Sequence, residues 1–327
     1  MFYALREGFA RMRQAPGLVF VVWAQNLALA AMLAVPFARS LQGELEHREA
    51  GSANLYGFDA GWHGAWRDRQ GGVAREFGPE IFGSGFAFRN LDLLLKGALP
   101  LGLFSGASGA EGARLDPVIL GVGALYLLAQ TFLAGGLIGV YRSPSRGFTL
   151  RGLLHGAGFY FGRLVRVSLI ALALAYVVFR LNAPFARWAD HMARESVSEV
   201  GALAWAFGRH LMLLLALLLV HLLSSYAKVI VVVEERSSAL LAFVSALGLC
   251  LRRGGEVLGH ALAVAVLFMG ALWLYVQVDG LWVTTGYKTQ LLALLLMQAF
   301  VITRISLRLG FLAGQVSLYG RGGAKLV

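Results

Sequence analysis

Six stretches of roughly 20 residues, nearly free of charge, dominate this sequence. They are Gly17–Ala38, Val118–Tyr141, Leu164–Asn182, Leu211–Val233, Val257–Val278 and a sixth, about 289–311, whose helix runs past Arg304 and Arg308 toward Tyr319. A helix rises 1.5 Å per residue, so roughly 20 residues cross about 30 Å of hydrocarbon. Within lipid every backbone polar group must be satisfied internally, which makes such stretches helices. The sixth is the weakest, because only 15 residues separate Lys288 from Arg304. The expected fold is all-α: one polytopic helical bundle over residues 1–327 with six transmembrane helices.

Composition agrees. Of 327 residues, 58% are hydrophobic and 14% charged, against about 25% charged in an average soluble domain. Mean hydropathy is +0.67. These values exclude a soluble enzyme, a disordered chain and a disulfide scaffold. A single cysteine, Cys250, allows no intramolecular disulfide and no thiolate metal cluster. The first apolar run has basic residues before it, but its 22 residues exceed the roughly 7–15 of a signal-peptide core. It reads as an uncleaved span.

The net charge of +11 belongs to topology rather than to nucleic acid. With the N-terminus inside, the inner segments and inner span ends sum to +12 and the outer ones to −1. Lys and Arg concentrate on the cytoplasmic side, so the expected orientation is N-in, C-in. Residues 142–166 weigh most, with Arg142, Arg146, Arg151, Arg163 and Arg166 and no acid. A bacterial inner membrane is the expected location.

Short amphipathic segments precede three of the spans. Phe2, Leu5, Phe9 and Met12 recur at helical spacing beside Arg6, Arg11 and Arg13, the pattern of a helix lying in the membrane interface. Segments 148–163 and 237–253 look alike and, like the first, sit on the expected cytoplasmic side. Gly8, Gly158 and Gly248 each stand five residues before an arginine that leads into a span. The chain therefore reads as three repeats of interfacial helix, span out and span back. The outer segment 43–117 is too long for a plain connector. It carries Tyr56, Phe58, Trp62 and Trp66, and short helices are expected there. The second outer loop, 183–208, carries Trp188 and Trp205 and is expected to form another.

The sequence lacks a Walker A loop, a nucleophile elbow, an H-E-x-x-H and a C-x-x-C. No catalytic residue, metal site or cofactor is expected. His210 and His221 lie eleven residues apart, about 16 Å along a helix, too far to share a metal. Polar residues inside spans face the bundle and can mark a pathway: Gln25, Asn26, Gln130, His221, Ser224 and Lys228 are the candidates, with Gln277 and Gln298 beyond them. No carboxylate lies at mid-membrane, which weighs against a proton- or sodium-coupled transporter. Arg11, Arg13, Arg163, Arg166, Arg252 and Arg253 are candidates for lipid headgroups, at about 1 kcal/mol per basic residue near an anionic surface. Arg304 and Arg308 share a helical face, and Glu234 or Glu235 is expected to pair with one of them.

Two phrases carry a resemblance: Ser225-Tyr226-Ala227-Lys228-Val229 followed by Glu234-Glu235-Arg236-Ser237-Ser238-Ala239-Leu240, and Leu5-Arg6-Glu7-Gly8-Phe9 running to Ala15-Pro16-Gly17. Together they resemble uncharacterised bacterial six-span integral membrane proteins. More loosely, the chain resembles the membrane domain attached to some glycerophosphodiester phosphodiesterases. The resemblance implies a helical bundle with amphipathic cytoplasmic helices. It transfers no catalytic residue, because the phosphodiesterase barrel is missing from this sequence, and segment 43–117 departs from the looser relative.

The function expected on these grounds is a non-enzymatic accessory or scaffold subunit. Its partners would be membrane lipids and a membrane protein complex engaged through 43–117, with no nucleic acid. The alternative is a transporter or channel for a lipid or other amphiphile.

Overall fold

A computed structural model describes residues 2–45, 60–71, 74, 117–143, 147–281 and 286–323. All regular elements among them are helices: α1 (Phe2–Gln14), α2 (Gly17–Leu45), α3 (Ala60–Arg69), α4 (Pro117–Arg142), α5 (Leu150–Glu195), α6 (Glu199–Val233), α7 (Ala239–Arg252), α8 (Gly254–Asp279) and α9 (Tyr287–Gly323). Six of them, α2, α4, α5, α6, α8 and α9, are long and apolar enough to cross a membrane. The protein is an all-α, multi-pass helical bundle. Most of segment 43–117, and Arg146 of the basic loop, lie outside the described residues.

Local sequence explains where the helices break. Ala15-Pro16-Gly17 parts α1 from α2, since proline cannot donate into the preceding turn. Gly254-Gly255 sits where α7 gives way to α8. No such breaker stands between 150 and Pro184, so the segment 148–163 and the third span are fused into the single 46-residue helix α5. Thr149 caps its start, its hydroxyl accepting from the Gly152 N–H at 3.2 Å. The expected short helix of the second outer loop is likewise the continuation of α5 and α6, which meet at the brief turn 196–198.

The chain divides into two compact units. Unit one comprises Met1–Leu93, Ser108–Gln130 and Leu258–Gly314, and unit two comprises Leu94–Ala107, Thr131–Val257 and Gln315–Val327.

In unit one, α1 docks on α9 through glycine. A Cβ on Gly8 would collide with the Gly310 carbonyl oxygen and lie 2.7 Å from the Gly314 nitrogen. Phe9 covers Gly310 in turn. Small residues let helix backbones approach in this way. Beside the contact, His260 is fully buried, stacked on Phe311 with centroids 5.1 Å apart, and its Nε2 meets the Phe311 carbonyl at 3.2 Å. Farther along, Leu272, Tyr275 and Phe300 form a buried cluster, with Tyr275 stacked on Phe300 at 4.7 Å. In α3, Trp66 is wholly buried and meets Phe37 of α2 edge-on at 5.8 Å.

In unit two the last turns of α6 form the core: Val229, Ile230, Val231 and Val232 are all fully buried. A helix buried on every side lies inside its bundle. The first turns of α5 dock on α4 by a second glycine contact, where a Cβ on Gly136 would strike the Leu153 carbonyl. Helix α7 packs against α6 and α5. It buries Ala239, Ala242 and Ala246 and turns Leu240, Val244 and Leu251 outward. An apolar outward face suits a helix lying against lipid.

The three segments thus do share one device, a small-residue face laid on a span. The expected Gly-to-Arg register does not carry it. Gly8 is tightly packed, but Gly158 and Gly248 have open space around them. In α5 the contact falls instead on Gly156, near Gly135 and Gly136 of α4.

Candidate functional site

Unit one contains an open groove of about 460 Å³ at the junction of α1, α2 and α9. Val19, Phe20 and Trp23 line it from α2, Met12 and Arg13 from the end of α1, and Ile302 and Ser306 from α9. The helical spacing of 19, 20 and 23 puts these α2 side chains on one face. The volume lies in the range of ligand pockets, and so does the character, apolar walls with one charged group. Arg13 is exposed and makes no ion pair among the described residues. Its neighbour Arg11 is engaged by Glu7 at 2.9 Å, one turn away.

One groove residue, Trp23, is tied to a polar residue of a span. Trp23 donates its indole N–H to Gln298 Oε1 at 2.9 Å. Asn26 Oδ1 accepts from Gln130 Nε2 at 3.1 Å, tying α2 to α4. These are interhelical hydrogen bonds of the kind worth about 0.6 kcal/mol on average. Gln25 differs: both its amide atoms are buried and neither has a partner among the described residues. Leaving such a group unsatisfied costs about 1–3 kcal/mol.

Unit two carries its charges at the turn between α6 and α7. Glu235 takes Arg142 of α4 at 3.0 Å, and its backbone carbonyl accepts from Arg163 of α5 at 2.8 Å. Arg142 also donates to the Val232 carbonyl at 3.2 Å. Glu234 accepts from the Tyr319 hydroxyl of α9 and pairs with Arg236. Arg236 in turn donates to Ser245 of α7 at 2.7 Å. Arg253 reaches the Leu318 carbonyl at 3.3 Å. Glu235 holds φ +56, a left-handed backbone that turns the chain sharply.

The expected partnership of Glu234 and Glu235 with Arg304 or Arg308 is therefore corrected. The acids take Arg142, Arg236 and Tyr319 instead, and Arg304 and Arg308 are both exposed. Spacing on a helix shows which residues share a face, not which element lies opposite.

The remaining candidates are scattered. Arg163 also lies over the Phe159 ring at 5.2 Å. Arg166 turns back to the Gly162 carbonyl of its own helix at 3.3 Å. Arg252 is exposed at the end of α7. Ser224 is buried and donates to the His221 carbonyl at 2.9 Å, while the His221 side chain is exposed and Lys228 half-buried. Two pairings escaped the sequence reading. Ser225 donates to Gln315 at 2.6 Å. Asp190 and Arg209 pair across the α5–α6 hairpin beside Trp188 and Trp205, whose rings meet edge-on at 5.0 Å.

No protein-family model matches this chain, no curated protein matches it, and no solved structure does.

Proposed function

We propose that the protein is a non-enzymatic, lipid-binding accessory protein of the membrane, holding a phospholipid at the basic end of unit one. The observation that carries this reading is the groove: an apolar trough beside two spans, lined also by Arg13, which makes no ion pair among the described residues. An acyl chain suits the walls formed by Val19, Phe20 and Ile302, and a phosphate suits Arg13. The clustering of arginines on one side supports an N-in, C-in orientation in a bacterial inner membrane, with the groove at the cytoplasmic leaflet. The amide residues beside Trp23 favour a second reading, in which the bound amphiphile is moved across the bilayer.

Native mass spectrometry of the purified protein tests the reading. The unaltered chain should retain one phospholipid through detergent washing, and Val19→Trp, which fills the groove, should lose it. Arg13→Glu should weaken retention of anionic lipid tenfold or more. Equal retention by Val19→Trp would remove the groove from consideration.

A further inference from the structure

We infer that unit one contains a binding site for an uncharged hydroxyl group inside the membrane, anchored by Gln25. Leu18, Val22 and Gln25 recur at spacings of four and three, so they share one face of α2. Leu18 is 0% exposed and Val22 2%. That face is the one α2 buries, and Gln25 continues it about 12 Å along the helix from Gly17. Both polar atoms of Gln25 are buried and lack a partner among the described residues, although its neighbours Trp23 and Asn26 are matched to Gln298 and Gln130.

The chemistry of the ligand follows from that of the site. A carboxamide offers two donors and an acceptor with two lone pairs. A hydroxyl both donates and accepts, so one hydroxyl can engage both ends of the amide. Gln25 stands within the run Gly17–Ala38, which carries no charged residue, so its helix brings no charge to hold an ion. Buried water occupies such places when polar partners are to hand, and the hydroxyl of a glycerol or sugar headgroup presents the same chemistry. The site is independent of what occupies the groove, since it rests on Gln25 and not on Arg13.

Hydroxyl-radical footprinting of the whole protein in nanodiscs tests this, because bound water generates radicals that oxidise adjacent buried side chains. In phosphatidylethanolamine, whose headgroup lacks a hydroxyl, Val22 should be oxidised several-fold more than the equally buried Val231. Gln25→Leu should abolish that difference. In phosphatidylglycerol, loss of the Val22 signal would assign the hydroxyl to the lipid, and an unchanged signal would assign it to water. The inference is overturned if Val22 oxidises no faster than Val231 in phosphatidylethanolamine, or if a folded Gln25→Leu protein keeps the signal. Should Gln25→Leu not fold, the comparison of Val22 with Val231 in the unaltered chain decides alone.

Discussion

Unit one places uncharged amides along α2, α4 and α9, pairing Trp23 with Gln298 and Asn26 with Gln130. Unit two gathers charges at the ends of its helices, where the turn 234–236 engages Arg142, Arg163, Ser245 and Tyr319. The difference follows from what surrounds each set. A neutral amide is tolerable within hydrocarbon if another amide answers it. A guanidinium is far more costly there and stays near the water. Unit two therefore uses polarity to tie helix ends together. Unit one pairs neutral groups within its spans, and there the Gln25 amide has no partner among the described residues.

Backbone contacts should show the largest effects, and they test whether the units share more than chemistry. Gly8→Ala and Gly136→Ala each drive a methyl into a carbonyl of the facing helix. Overpacking of this kind costs about 1–3 kcal/mol. Thermal unfolding in detergent should show a clear drop for both, and Gly158→Ala, with open space around it, should be neutral or slightly stabilising. A drop for only one of the two would show that the units do not depend equally on close helix approach.

An intermediate effect is expected at the turn of unit two. Glu235 holds φ +56, and a left-handed conformation costs an ordinary residue about 1–2 kcal/mol. Glu235→Val, β-branched, should lower the melting temperature more than Glu235→Asn, because asparagine tolerates that region. Both lose the carboxylate facing Arg142, an exposed pair worth at most about 1 kcal/mol. Equal losses would mean that the ion pair, not the backbone, sets the cost.

The smallest effect is the pH response of α3 in unit one. His63 is 1% exposed, and burial, with Arg67 adding to it, holds its pKa below the ordinary 6.5. The unfolded chain then binds a proton more readily than the folded one. The stabilisation from neutral His63 is complete above about pH 6.5 and is lost as pH falls below it. His63→Phe should flatten the pH dependence of unfolding between pH 7 and 5. An unchanged slope would place the acid response elsewhere.

Hydropathy and length made the six spans legible, because crossing hydrocarbon constrains many consecutive residues at once. The breaks at Pro16 and at Gly254-Gly255 were legible for the same local reason. The fusion within α5 was not: an amphipathic stretch and an apolar stretch look separate in composition, yet nothing between 150 and 183 interrupts the backbone. Partners across helices were the least legible. Tyr319 carries no signal pointing to Glu234. Asp190 and Arg209 become a pair only once α5 and α6 are known to fold back on each other at 196–198. The polar character of Gln25 was visible in sequence, but its lack of a partner among the described residues was not, since that depends on what α2 faces.

Helix α5 has a mechanical consequence. Its 46 residues make a rod of about 69 Å, more than twice the thickness of the hydrocarbon core. Its first turns rest on Gly136, and its far end holds Trp188 against Trp205. No proline stands between 150 and Pro184, so tilting the first turns carries about 51 Å of helix with them. That lever ends at Pro184, where an internal proline removes a backbone hydrogen bond, and the aromatic tip at Trp188 lies beyond it.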